Sequence, residues 1–447
     1  MAPRLGAYLS PSERADTRLA HLVENLRTGL WFVPGLFVLG AAVLAVLTVA
    51  VDHWYDSLPN WLAFSGGPTS AQQILVTIAT SMMTFTGLVF TISVVVLQLA
   101  SSQFSPRVLR TFLRDRGSQV PLGIFTATFV YALIVLVQVR VGTIGPVFVP
   151  ALSVTVALLM VLSSLAAFVY FVNHVAQSIR VAHIIESVAT ETRAVIDTVH
   201  LDGSHAPFPA EQPVDLELGE CRQVIALDRR GGVLAGLDIA GLIDVAQRHG
   251  CVLWLVSNVG DFVTEQGPLF EVYGTSDVPT REVLRQVDIA RERSMRQDPA
   301  YGFRQLVDIG EKALSPALND PTTAVQAIDR LLDLLGRIAR RGTPTGVYED
   351  DDGEVRLVRP VMSWSGYVAL AFEEIREYGG SSIQVQRRLR AAIDELLGTV
   401  PEGLRPPLER QRRLLAQSAA RYFTDPEELA LAIAPDESGI GNVDDEP

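Results

Sequence analysis

The chain has 447 residues, 48% of them hydrophobic, and a mean hydropathy of +0.26, too apolar for an ordinary soluble domain and suited to a chain that is half membrane and half soluble. A formal net charge of −13 excludes a whole-protein role in nucleic-acid binding. Basic residues are almost all Arg, with Lys312 the one lysine, the bias of a GC-rich bacterial genome.

Residues 1–29 precede the first apolar stretch and place Leu19, Leu22, Val23 and Leu26 on one helical face, which predicts an interfacial amphipathic helix rather than a cleavable leader. Four stretches are long enough to cross a bilayer, which takes about 20 residues. They run from about Leu30 to Val51, Ala71 to Leu99, Val120 to Val139 and Val147 to Val172, and none contains Asp, Glu, Lys or Arg. A four-helix transmembrane domain is therefore expected over 30–180. Arginines cluster before the first span, between the second and third (Arg107, Arg110, Arg114, Arg116) and after the fourth (Arg180, Arg193). The other two connections carry only Arg140, so both termini are expected in the cytoplasm of a bacterial plasma membrane. Arg140 is expected to pair with Asp52 or Asp56, or to attract anions at an outer mouth.

The second span carries Gln73, Thr77, Thr80, Thr84, Gly87, Thr91, Val94 and Gln98 at alternating steps of four and three, a polar or small stripe on one helical face. Lipid offers such a face no partner, so it is expected to meet protein or water. One reading is helix packing with hydroxyls bonded back to their own backbone. The other is a water-filled path. Both are met if the helix packs at the axis of a homo-oligomer.

No Gly or Pro appears from Ala151 to His200, so the fourth helix is expected to continue past the membrane. Val181, Ile185, Val188, Thr192, Val195 and Val199 keep the four–three step there, which fits either a coiled coil between copies or a helix docked on its own domain. The segment 181–213 is read as this helical extension and a Pro/Gly-containing linker. A small β-rich unit is expected over 214–276, with strands at CRQVIALD and CVLWLV around a helix from Ile239 to His249. Cys221 and Cys251 lie in these runs, form no ligand-spaced cluster, and are read as small buried apolar residues. The turns of VGDFVTEQGPLFEVYG resemble those of small barrel-sandwich domains of the biotinyl or lipoyl type, and with no lysine there the likeness implies a structural barrel rather than a carrier.

Residues 277–434 read as helical. Three helix starts are expected where a capping residue precedes Pro: Asp298-Pro299, Ser315-Pro316 and Asp320-Pro321. A hairpin is expected around Asp351, Asp352 and Gly353, and an acidic tail over 435–447 is expected to be disordered. The fold class is thus a mainly α membrane protein: a four-helix transmembrane domain followed by a cytoplasmic α+β domain made of the β-rich unit and a helical bundle.

Two phrases, MMTFTGLVFTISVVVLQLASSQFSPRVLRTFLRD (Met82 to Asp115) and RQDPAYGFRQLVDIGEKALSPALNDPTTAVQAIDRL (Arg296 to Leu331), resemble the bacterial domain-of-unknown-function 2254 family of membrane proteins, with a likeness running along nearly the whole chain. The resemblance implies the architecture and carries no activity.

No HExxH, Walker loop, GxSxG or dinucleotide fingerprint is present, and no metal or cofactor is implied. His174 and His183 read as a polar helix face rather than as ligands. The best sequence candidate for a small anionic ligand is the stretch from Asp298 to Thr323, where helix N-termini accompany Arg304, Lys312, Asn319, Asp320, Thr322 and Thr323. The competing reading is that Asn319 and Asp320 cap helices and Lys312 pairs with Asp308. The leading functional expectation is an oligomeric channel or transporter for an ion or small solute, regulated by the cytoplasmic domain. A membrane-anchored scaffold or regulator is the alternative, and an enzyme comes third.

Overall fold

The computed structural model describes residues 32–54, 64–103, 116–140, 147–178, 180–199, 216 and 218–440. The expected interfacial helix, the linker over 201–213, and Asp56 lie outside these residues. The chain divides into one unit ending at Arg180 and a second built from Val181 onward.

The first unit contains α1 (Phe32–Trp54), α2 (Pro68–Gln103), α3 (Arg116–Gln138) and α4 (Ala151–Ser178), each long and apolar enough to cross a membrane. Helix α3 is the hub and packs on the other three. Its Phe125, Tyr131 and Val135 are fully buried, together with Leu75 of α2 and Phe171 of α4. Small residues let the helices approach: Ala41 and Ala45 are buried on α1. The outward faces carry Leu36, Leu39, Val46, Leu159 and Leu162, as a lipid-facing surface requires. Buried polar groups are paired inside the bundle. Thr48 and Tyr131 share a hydrogen bond of 2.9 Å, Tyr131 also donates to the Ser153 carbonyl, and Thr128 and Ser164 share one of 3.0 Å.

The apolar run from Ala151 to His200 does not make one helix. Helix α4 stops at Ser178 and α5 (Val181–Val199) begins anew. The four–three seam on α5 is used within its own chain: Ile184, Ile185, Val188, Ala189, Thr192, Val195 and Ile196 are buried against α8 (Pro299–Ala313) and α9 (Pro321–Arg341). Ion pairs fix α5 to α9, from Arg193 to Asp333 at 2.7 Å, Arg337 to Asp197 at 2.6 Å and Arg330 to Glu186 at 2.9 Å. This is the docked-helix reading, and the seam is closed to a coiled coil.

The second unit holds a five-stranded sheet and a three-stranded one. Its strands are β1 (Cys221–Ala226), β2 (Gly232–Leu237), β3 (Cys251–Leu255), β4 (Phe262–Val263), β5 (Pro268–Gly274), β6 (Val287–Ala290), β7 (Val347–Glu349) and β8 (Val355–Val358). The larger sheet has the order β1-β5-β3-β8-β7 and the smaller β4-β2-β6. The expected barrel is therefore replaced by two sheets, and the sheet extends past residue 276 because the hairpin at Asp351 adds β8 to β3 in parallel, Leu253 opposite Leu357. Helices α6 (Ile239–His249) and α7 (Thr280–Leu284) complete this half, with Ile225, Leu234, Leu253, Phe270 and Leu357 at its core. Asp238 caps α6 by accepting from the Gly241 amide. Cys251 is buried as expected, but Cys221 is exposed, since it begins an edge strand.

Helices α8 and α9 form an antiparallel hairpin. Helices α10 (Trp364–Tyr378), α11 (Ile383–Thr399), α12 (Arg405–Tyr422) and α13 (Pro426–Ile433) pack in succession on it. Phe303, Leu306, Val307, Ile328, Leu331 and Leu335 are fully buried between the first layers, each contributing about 1.5–3 kcal/mol of apolar transfer. Ser315-Pro316 opens no helix. It makes a turn, with the Asn319 amide donating to the Ser315 carbonyl and Asn319 at φ 46°, because only a few residues separate α8 from the cap of α9. Residues Pro435–Ile440, expected to be disordered, are folded. Asp436 accepts from Ser438 Oγ and the Gly439 amide, and the Arg388 guanidinium donates to the carbonyls of Asp436 and Glu437.

Candidate functional site

The stripe on α2 lies outside its own bundle. Gln73, Thr77, Thr80, Thr84, Gly87, Thr91, Val94 and Gln98 are all exposed, while Leu75, Ile78, Ala79, Met82 and Val89 on the opposite side are buried against α3 and α4. Among the described residues, the stripe is turned away from the packing inside its own bundle. Thr77, Thr84 and Thr91 donate to the carbonyls four residues earlier, at 2.7, 3.0 and 2.9 Å. The side chains of Gln73, Thr80 and Gln98 have no hydrogen bond among the described residues. Gln73 and Gln98 are 25 residues apart, about 37 Å along a helix, longer than a bilayer core of about 30 Å. The four threonines lie between them on the same helix.

Asp52 is not part of an open mouth. It is 9% exposed and caps α4, accepting from the Leu152 amide at 2.9 Å, the Ser153 amide at 3.0 Å and Ser153 Oγ at 2.7 Å. Arg140 is exposed, bridges to Phe148 through its backbone, and forms no ion pair with Asp52. The carboxylate goes to α4 because four amides at a helix start need acceptors and the end of α1 supplies one.

The cationic candidates of the second unit are separated. Arg304 is consumed by acids: its guanidinium pairs with Asp308 at 2.5 Å, Glu311 at 3.2 Å and Glu374 of α10. Asp308 thus faces Arg304, and Lys312 is left exposed with no ion pair among the described residues. Burial, joined by a hydrogen bond with Glu374, pushes the Glu311 carboxyl up to about 7. Asp320 caps α9, accepting from the Thr323 amide at 3.1 Å and from Thr323 Oγ1 at 2.6 Å. Asn319 and Thr322 are exposed beside it. The start of α8 lies at the other end of the hairpin, about 20 Å away by the length of a 15-residue helix, so the two N-termini do not converge.

A cleft of about 190 Å³ does exist in this unit, at the start of α8. Arg293, Asp298, Pro299 and Ala300 line it together with Asn258, Val259 and Asp261, and with Arg359, Val361, Met362 and Tyr367. Asp298 is 5% exposed and pairs with Arg293 at 2.5 Å. Burial raises its carboxyl above the usual range, against the pull of Arg293. Gly260, at φ 99°, leaves the room this pair occupies, since a Cβ there would lie 2.5 Å from both side chains. Burial raises the Tyr367 phenol as well, and the nearby Asp298 adds to it. Sequence reading took Asp298 as a helix cap at the start of the anion-site stretch and did not connect it with Arg293 or Arg359. The signal it lacked was the meeting of segments near 199, 260, 295, 344 and 360.

The model for predicted membrane proteins of the DUF2254 family matches residues 27–395. The chain belongs to this family. Uncharacterized protein Rv1290c of Mycobacterium tuberculosis is 34% identical over 444 residues, which cover 96% of this chain and 83% of that one. Uncharacterized protein Mb1321c of Mycobacterium bovis matches with the same identity and coverage. No solved structure matches the chain. As a DUF2254 member it is a membrane protein, and its four apolar helices fall within the matched region.

Proposed function

We propose that this DUF2254 protein is a homo-oligomeric channel for an ion or small solute, in which neighbouring copies bring the stripe on α2 to a shared axis. The second unit lies on the cytoplasmic side in this reading and regulates the path. The observation that carries it is the outward placement of Thr77, Thr80, Thr84 and Thr91 along a helix long and apolar enough to cross a membrane. Against lipid, Thr80 has no partner for its hydroxyl, and the other three can satisfy theirs only from their own backbone. Each interhelical hydroxyl contact is worth about 0.6–2 kcal/mol, so the stripe biases assembly without fixing it alone. The arginines that flank the spans support a topology with both termini inside.

The test is flux through purified protein in vesicles. Thr84→Leu reduces flux with assembly intact. Thr84→Val reduces it less if the block is steric and equally if hydration of the path matters. If Thr84→Leu instead disperses the oligomer and the wild type passes no solute, the stripe is a packing seam. The reading of the protein as a membrane-anchored regulator then takes over, a reading favoured by the cleft in the second unit.

A further inference from the structure

Arg359 is 8% exposed and faces the cleft at the start of α8. Its Nε donates to the Tyr348 hydroxyl at 3.0 Å, and its guanidinium lies 5.7 Å from the centre of the Tyr348 ring. Its two terminal nitrogens have no hydrogen-bond partner, and no carboxylate pairs with it, among the described residues. Arg388, equally buried in this unit, is matched: it meets Asp329 at 2.6 Å. A guanidinium cannot shed its proton, and the terminal nitrogens of Arg359 open into the cleft rather than being sealed from solvent. The cleft beside it therefore holds a cation whose partner the protein does not supply.

The surroundings narrow the class of partner. Arg293 is engaged by Asp298, and the cleft has Asp261 as a second acid. Two arginines against two carboxylates leave the walls formally neutral, which tolerates one added negative charge and opposes two. Val199, Val259, Pro344, Val361 and Met362 offer apolar wall to the body of a ligand. The volume of about 190 Å³ holds roughly a dozen atoms of water size, which suits a compact ligand. The α8 N-terminus at Pro299 and Ala300 adds the positive end of a 15-residue helix to the same opening.

We propose that this cleft binds a small monocarboxylate with a compact apolar body, its carboxylate held by the two free terminal nitrogens of Arg359 as a forked pair. The site is distinct from the Arg304 cluster, and it stands whether or not the membrane unit conducts.

The experiment uses the full chain in nanodiscs and ligand-detected saturation-transfer NMR, with benzoate as probe, benzamide as its neutral isostere and inorganic phosphate as the alternative anion. Benzoate is expected to bind at least tenfold more tightly than benzamide and than phosphate. Arg359→Met is expected to weaken benzoate at least tenfold, and Lys312→Met to leave it unchanged. Because Arg359→Met removes a buried side chain, Val361→Trp serves as a second variant that fills the cleft and keeps the arginine; it too should lose benzoate while melting like wild type. Benzoate binding retained in both variants, or no saturable binding by about 10 mM, a standard free energy of only about −2.7 kcal/mol, overturns the proposal. Phosphate binding tighter than benzoate overturns the carboxylate assignment.

Discussion

The docking of α5 on its own unit makes a sharp prediction at Gly302. A Cβ built there would lie 1.9 Å from Thr192 Oγ1 and 2.8 Å from both Thr192 Cβ and Cγ2. Ordinary carbon contacts need about 3.5–4.0 Å, so Gly302→Ala forces α5 away by more than an ångström or turns Thr192 out of place. Thr192 is fully buried, and its hydroxyl is held to the Val188 carbonyl at 2.6 Å, so rotation also breaks a hydrogen bond. Overpacking of this kind costs about 1–3 kcal/mol, and the helix-propensity gain of Ala over Gly returns about 1 kcal/mol. The net is a loss of up to about 2 kcal/mol. At about 2–4 °C per kcal/mol in domains of 150–250 residues, the melting temperature should fall by several degrees. Adding Thr192→Ala removes the Oγ1 and Cγ2 contacts but leaves the one at 2.8 Å to Cβ, so rescue should be partial. The assay is tryptophan-monitored thermal unfolding of the full chain in detergent. If α5 instead served a seam between copies, Gly302 would face open space and alanine would raise the melting temperature. A rise in melting temperature refutes the docking of α5.

Three more expectations follow from particular contacts. Asp52→Ala strips an acceptor from two amides and a hydroxyl at the start of α4, so it should cost about 1–3 kcal/mol in detergent thermal unfolding, with Asp52→Asn milder and Arg140→Gln neutral; equal losses for Asp52→Ala and Arg140→Gln would restore the ion pair between them. Glu311 has a folded-state pKa raised from 4.5 to about 7, so the stability it contributes is complete below about pH 4.5 and is lost as pH rises through 7; Glu311→Gln, which needs no proton to donate to Glu374, should therefore gain melting temperature over wild type between pH 5 and 8, and a gap that is constant or shrinks over that range contradicts the proton-sharing pair. Cys221 is exposed and Cys251 buried, so an impermeant maleimide should label Cys221 only after cells are opened, whereas Ser65→Cys in a Cys221→Ser background should label in intact cells; the reverse pattern inverts the topology.

What could be read in advance was what is local in the chain. Apolar runs of 20 or more residues declared the membrane helices, and Asp298-Pro299 and Asp320-Pro321 marked the starts of α8 and α9 because proline's fixed φ and missing N–H suit a first helical turn. The same grammar failed at Ser315, where the loop was too short to hold another helix. Strand β2 was hidden because Gly232, Ala235 and Gly236 dilute its apolar alternation, and β6 because it is four residues long. The candidate site was hard to read because its decisive partners are remote. Glu374 claims Arg304 from 70 residues away, and Ser153 claims Asp52 from 101. The stripe on α2 was legible as a period, but its outward direction depends on which side of the helix α3 occupies.

The parallel pairing of β3 with β8 has a consequence for how the protein is made. Leu253 and Trp254 wait for Leu357 and Val358, residues synthesised about a hundred positions later. At roughly 5–20 residues per second, the ribosome leaves that border of β3 without its neighbour for about 5–20 s. During this interval the nascent chain presents CVLWL as an open, apolar strand rim, the kind of surface that joins to other chains. Termination anywhere between β5 and β7 would make that transient rim permanent, so a chain shortened there should gather into aggregates even though the helices before it are complete.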